Sequence, residues 1–504
     1  MGPSHLCAVG GNSFENHYSH LYMFSFILSI VALVIGYLIY GKFVEKVFGP
    51  DPNRVTPAIE KADGVDFIAM PTWKVFMIQF LNIAGTGPIF GAIMGAKFGP
   101  ASYLWIVFGC IFAGAVHDYL SGMLSMRNGG ANYPDIVGRY LGNTTKTVML
   151  VFSMFLLIMV GTVFVYSPAI ILGGMAGGGS TTAMLIWCGV IFIYYIIATL
   201  LPIDKIIGRI YPVFAVALLF MAAALLVGLL VKWPSIPELW NGLGGWTEKA
   251  GISGQAIFPC LFITIACGAV SGFHATQSPI MARCMKNEKL GRPIFYGAMI
   301  TEGLVALVWA AVSSWFFFDG GYAEVGGTAT SSAPMVVTLV SKGWLGVFGG
   351  ILAMLGVVAA PITSGDTAFR SARLILSDFL KIKQEKIGSR LAIALPLFVL
   401  SGLLLWFNIA DEDGFNTIWR YFGWANQTLS VFMFWTATAF LVGRGGLSYL
   451  ITFIPAVFMT AVCVTFILVD KTGFGVSAGL APWIGCGTAV LAAVVFFALK
   501  KRIK

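Results

Sequence analysis

Two stretches decide how this chain folds: FLNIAGTGPIFG at residues 80–91 and FITIACGAVSGFH at residues 262–274. Each lies inside an apolar run long enough to cross a bilayer, and each breaks that run with glycine. The first holds Gly85-Thr86-Gly87-Pro88 followed by Gly91; the second holds Gly268-Ala269-Val270-Ser271-Gly272. Pro88 has no N–H for a helix, and glycine accepts backbone angles that a helix forbids. Both breaks fall about eleven residues into their runs, roughly 16 Å by helical rise, near the middle of a bilayer core about 30 Å thick. Backbone freed at that depth must bond to protein or line a watery cavity, because lipid offers no partners.

The rest of the sequence sets these stretches in a membrane. Of 504 residues, 58% are hydrophobic and 11% are charged, less than half the charge of an ordinary soluble chain. The 60 glycines suit close-packed and interrupted membrane helices. A soluble enzyme, a secreted disulfide scaffold and a disordered chain are excluded. The eight cysteines have no C-x-x-C spacing, and Cys110, Cys188, Cys260, Cys267, Cys463 and Cys486 sit in apolar runs, the habit of small buried hydrophobes. The five histidines form no H-x-x-x-H or Cys/His spacing, so no tightly bound metal is expected.

Thirteen apolar runs have bilayer length: spans 1 to 13 near 23–44, 75–96, 101–126, 147–173, 181–201, 210–231, 256–283, 293–318, 344–362, 390–408, 416–442, 447–469 and 481–499. With this count, 25 of the 31 Lys and Arg residues fall on one side of the membrane. Lys97, Lys232, Lys249, Lys342, Arg420 and Lys471 fall on the other. A missed or invented span would scramble that asymmetry, so a multi-pass protein of the cell (inner or plasma) membrane is expected, N-terminus outside and C-terminus cytoplasmic. The net charge of +9 is then a topology signal and needs no nucleic-acid partner. Residues 1–22 carry no Lys or Arg and so lack the n-region of a secretory signal; they read as an extracellular tail of no evident purpose. An extra helix at 23–46, a five-helix unit at 74–231, a second at 256–442, and two further helices with a basic tail at 447–504 complete the expected organisation.

The two breaks lie five spans apart, and an odd offset makes their helices run in opposite directions. Broken helices at matched depth in antiparallel spans mark an inverted 5+5 repeat, spans 2–6 against 7–11, and an alternating-access transporter. Half-helix N-termini there suit an anionic group, and bare carbonyls suit a cation. The expected substrate contacts are Gly85, Thr86, Gly87, Gly268, Ala269, Ser271 and Gly272, joined by Asn426 and Gln427 near the middle of span 11.

These segments resemble the carbon starvation A family of peptide and pyruvate transporters. PCLFITIACGAVSGFH (259–274) and FLNIAGTGPIFG (80–91) carry the likeness, with IFAGAVHDYLS (111–121), ADGVDF (62–67), ITSGDTAFRSARLILSDFL (362–380) and FNTIWRYFGWANQ (415–427). They run in order over most of the chain. The resemblance implies an all-α fold like the leucine transporter, of the amino acid–polyamine–organocation superfamily, whose broken first and sixth core helices are spans 2 and 7 here. It also implies nutrient uptake by symport, of peptides in some members and of pyruvate with a proton in others. The large extra loops of longer members between spans 8 and 9 are absent.

Ionisable groups inside the membrane are costly and become functional candidates by default. They are His117 and Asp118 in span 3, His274 just past the break of span 7, Glu302 in span 8 and Asp366 after span 9. Such groups can carry a coupling proton. Coupling to sodium would instead use oxygens around Ala84 and Gly87 with the hydroxyls of Thr363 and Ser364, as in the superfamily's second sodium site. The coupling ion is therefore a proton or sodium, with no cofactor. A channel would want a short filter loop between spans, and an enzyme would want metal-ligand spacing or an activated nucleophile; neither pattern is present.

Overall fold

The computed structural model describes residues 22–176, 180–201, 207–410 and 414–503; of the expected tail at 1–22, all but Tyr22 lies outside them. Every regular element among the described residues is helical. Among the described residues, ten helices are long and apolar enough to cross a membrane, and the pair Thr72–Ile83 and Gly87–Ala96, bent by 54°, makes an eleventh if taken as one span. That pair is span 2, broken where the glycines and Pro88 predict. The two remaining expected spans are helical as well. Span 7 is split into Ile257–Leu261, Phe262–Thr264 and Phe273–Ala282, and span 11 is the single helix Gly414–Val442.

One boundary differs from the sequence reading. Span 9, expected at 344–362, belongs to a helix of Ala333–Leu380 that turns at Gly346, where φ is +66°. The membrane-length part is Gly349–Leu380, so most of the stretch expected as a connection is helix. Its polar residues Thr363, Ser364, Asp366, Arg370 and Arg373 are all fully buried. They are polar because they face protein, so an apolar run read from the sequence stops near Ile362 and leaves the rest of the helix as a connection.

The connecting segments gather at two ends. At one end, buried Glu288 accepts from the Asp51 N–H at 2.8 Å and from Arg127 at 3.1 Å, joining the segments after spans 1, 3 and 7. Asp66 accepts from Arg370 at 3.3 Å and lies 3.5 Å from Arg373. Arg370 also donates to the carbonyls of Ala198 and Leu201, at the end of span 5. Burial works to raise the Asp66 carboxyl, but Arg373, Arg370 and Arg283 outweigh it and hold Asp66 below the ordinary carboxylate range. At the other end, Glu238 accepts from the Ser25 N–H at 2.8 Å, Asp319 from the Ser235 N–H at 3.1 Å, and Lys232 pairs with Glu324. Tyr421 there donates to the Thr472 carbonyl at 2.6 Å. Side-chain contacts thus sort the segments into the same two sets as the charges do.

That sorting predicts the outcome of impermeant maleimide labelling in intact cells. Cysteines placed at Lys383 and at Ala329, both exposed, label from opposite sides of the membrane. Equal labelling of both from outside would contradict the two-ended arrangement.

Candidate functional site

The two breaks touch. A Cβ on Gly87 would stand 2.1 Å from the Cβ of Cys267, and one on Gly91 would stand 2.9 Å from the Thr264 carbonyl oxygen. Gly268, at φ +152°, faces Ala306 of span 8 and the backbone of Pro88. Span 3 closes in by the same means: a Cβ on Gly114 would meet the Ala269 carbonyl oxygen at 2.1 Å. Small residues are what let these backbones approach so closely.

Several backbone groups freed by the break in span 7 pair with groups on spans 3 and 11. Trp105 donates to the Ile265 carbonyl at 2.8 Å. The Asn426 side-chain oxygen accepts from the Phe273 N–H at 2.6 Å and from the Ser271 hydroxyl at 3.0 Å, and the Asn426 carbonyl accepts from the Gly272 N–H at 3.1 Å. Asn426 is therefore the N-terminal cap of the half-helix Phe273–Ala282. Gln427 donates to the Phe262 carbonyl at 2.9 Å. Both were expected to contact substrate; in this conformation their amides hold the break together.

Directly beyond the break lies a chain of ionisable groups. Asp118 places one carboxylate oxygen 2.9 Å from His117 Nδ1 and the other 2.8 Å from His274 Nδ1. Because a carboxylate only accepts, each ring donates from Nδ1, and a neutral ring then keeps its lone pair on Nε2. His274 Nε2 lies 3.6 Å from Glu302 Oε2. His117, Asp118, His274 and Glu302 are all buried, and neither Glu302 oxygen has a hydrogen-bond partner. Four residues from three spans thus meet beside the break. Asp366 stands apart from them: its Oδ2 lies 2.7 Å from the Tyr211 hydroxyl of span 6.

The oxygens proposed for sodium are only partly assembled. Ser364 donates to the Leu81 carbonyl at 3.0 Å, tying span 9 to span 2 just before the break. A Cβ on Gly85 would meet Ser364 Oγ at 3.3 Å, so the two elements are close. Thr363 instead turns back to the Ala359 and Ala360 carbonyls of its own helix. The Ala84 N–H still bonds to the Phe80 carbonyl.

Gln79, Asn82 and Cys267 were not singled out as site residues in the sequence, whereas their neighbour Thr86 was. Gln79, Asn82 and Thr86 follow one another along span 2 and are all buried. Thr86 Oγ1, both Asn82 side-chain polar atoms and Gln79 Oε1 have no partner. Polar residues at i, i+3 and i+7 in an apolar run are the signal that could have found them. Cys267, read as an inert small hydrophobe, sits in the break itself, 3.4 Å from Ser271 Oγ. A cavity of about 660 Å³ opens beside these elements, lined by Met94 at the end of span 2 and Lys97 just after it, Ile263 and Thr264 before the break, Trp419 and Arg420 of span 11, and Asp470 and Lys471.

The family model described as "Carbon starvation protein CstA" matches residues 22–232, 180–343 and 323–466, and the chain belongs to that family. The chain is 26% identical to a peptide transporter CstA of Campylobacter jejuni, over 86% of this chain and 78% of the relative. It is 24% identical to the pyruvate/proton symporter BtsT of Escherichia coli, over 88% of this chain and 80% of the relative. Among solved structures, a manganese transporter of Eremococcus coleocola aligns with a TM-score of 0.55 at 10% identity, covering 88% of this chain and 99% of that one. The last likeness shows the shared transporter fold.

Asn426→Ala leaves the Phe273 N–H and the Ser271 hydroxyl without their acceptor, which costs about 1–3 kcal/mol in a buried setting. Gly87→Ala drives a methyl into Cys267, whereas Gly402→Ala meets nothing within 4 Å. Thermal unfolding of the detergent-purified protein is expected to fall for the first two variants and stay at the wild-type value for the third. Wild-type melting in Asn426→Ala and Gly87→Ala together would mean that the breaks are not packed in this way.

Proposed function

We propose that this member of the carbon starvation family is a secondary active transporter that takes up a peptide or a small carboxylate nutrient, coupled to protons, by alternating access across the cell membrane. The observation that carries this reading is the meeting of two broken spans beside the buried chain His117–Asp118–His274–Glu302. An ionisable cluster at that depth, with neither Glu302 oxygen hydrogen-bonded, has no evident structural use. Joined to a segment that can repack, it links proton occupancy to the position of span 7. The 5+5 repeat and the cytoplasmic placing of the basic end belong to the same reading.

The cavity supports a carboxylate substrate. Lys97, Arg420 and Lys471 line it, and Asp470 is the one acidic residue among its lining, 3.6 Å from Arg420. Its walls therefore carry positive charge toward the breaks, which raises the local concentration of an anion. The cavity stops at Thr264, beside Gly91 of span 2, so a small change in the breaks would extend it to the unpartnered Thr86 and Asn82. Pyruvate/proton symport fits the cation-lined cavity and the proton-holding cluster together.

Proteoliposomes with an imposed pH gradient, acid on the cavity side, should accumulate labelled pyruvate or a labelled dipeptide with no sodium present. Glu302→Gln should reduce that accumulation at least about tenfold, the scale of one lost interaction with a charged group, while facilitated exchange persists. Accumulation that follows a sodium gradient and survives Glu302→Gln would reject proton coupling through this cluster.

A further inference from the structure

We propose that Cys267, His274 and Glu302 form a binding site for a divalent transition-metal ion of the zinc and cobalt class, between the break of span 7 and span 8. Cys267 Sγ, a ring nitrogen of His274 and a Glu302 carboxylate oxygen all lie within 4.8 Å of one another, and the three side chains are fully buried. His274 Nε2 and both Glu302 oxygens have no hydrogen-bond partner. An imidazole nitrogen, a carboxyl and a thiol thus lie close together with no Lys or Arg paired to them among the described residues. Such a set of acceptors calls for a cation between them.

The surroundings prepare His274 as a ligand. Its Nδ1 donates to Asp118 at 2.8 Å, which fixes the ring and turns Nε2 toward Glu302. A carboxylate behind a histidine is the usual outer support of a metal-binding imidazole, and it raises the basicity of the ligand. Sulfur, nitrogen and oxygen together select a borderline ion such as Zn²⁺ or Co²⁺, whereas Mg²⁺ and Ca²⁺ take oxygen alone. Three protein ligands leave the fourth tetrahedral position open, as in sites that exchange a ligand. With bonds of about 2.0–2.3 Å the ligand atoms must draw together by about 1 Å. Cys267 lies in the non-helical segment between Thr264 and Phe273, the part of span 7 best able to yield that movement. On binding, the Cys267 thiol gives up its proton, and the ion ties the break to span 8. The sequence argued against a tight metal site only through spacing along the chain, and this cluster forms across two helices.

The site rests on this geometry alone. Only its consequence, that a bound ion blocks uptake by occupying the proton-holding atoms, rests on the transport reading above. The test is titration of the purified full-length protein with Co²⁺, followed by absorption. Wild type should bind one equivalent and show a sulfur-to-cobalt charge-transfer band with visible bands of tetrahedral cobalt. Cys267→Ser should lose the charge-transfer band, and His274→Gln or Glu302→Gln should weaken binding about 10–100-fold. Melting curves check that each variant is folded; if the His274 or Glu302 variant is not, wild type and Cys267→Ser decide. No charge-transfer band in wild type, or an unchanged band in Cys267→Ser, would overturn the site. Because the titration needs no gradient and no substrate, cobalt binding without proton-driven uptake would refute the transport reading and leave the site standing. Proton-driven uptake without the band would do the reverse. Where both hold, Zn²⁺ should inhibit uptake by wild type and spare Cys267→Ser.

Discussion

Backbone contact between the two broken spans is the constraint on which everything else depends. Gly87 lies against Cys267, Gly91 against the Thr264 carbonyl, and Gly114 against the Ala269 carbonyl, each at a distance that leaves no room for a β-carbon. Close contact brings unwound backbone into a place where lipid cannot hydrate it, so the protein must supply partners. Asn426 and Trp105 supply them. Tight approach, side-chain capping and the absence of regular helix are three aspects of one packing solution.

That solution also places the chemistry. Span 3 is drawn onto the break by Gly114, and His117 and Asp118 follow within one turn, so Asp118 lands 2.8 Å from His274. Buried charges of this kind lose several kcal/mol each in solvation, and only close partners offset that. The two histidines satisfy Asp118, while Glu302 has no such relief. Stability alone would favour apolar residues at these positions. Their presence is a cost the fold carries for function, and the non-helical segment beside them is the part of span 7 with the fewest backbone bonds to break when it moves.

Elsewhere ion pairs do ordinary structural service. Arg370 sits fully buried between Asp66 and the end of span 5, and Glu288 binds three connecting segments at the same end. Removing one member of such a group leaves its partner charged and buried, which makes this end resistant to opening. The opposite end holds the 660 Å³ cavity, whose one ion pair, Arg420 with Asp470, is partly exposed. Buried ion pairs thus knit one end together, and a cavity opens at the other.

The sequence by itself determined the membrane class, the alternating ends and the position of both breaks. These follow from composition, charge distribution and glycine or proline in apolar runs, all local properties that solvent and lipid read one residue at a time. It also named His117, Asp118, His274 and Glu302 one by one, because a charge inside an apolar run stands out. It misplaced span 9, since a helix buried on all sides by protein has no need of an apolar sequence, and Arg370 and Arg373 look like loop residues until Asp66 is seen beside them. Only the tertiary structure decided that Asn426 caps a half-helix, that Asp366 pairs with Tyr211 away from the histidines, and that Cys267 faces His274 and Glu302. Those facts depend on distances between residues far apart in the chain, which are set by how glycine-lined backbones pack and leave no periodic trace in the sequence.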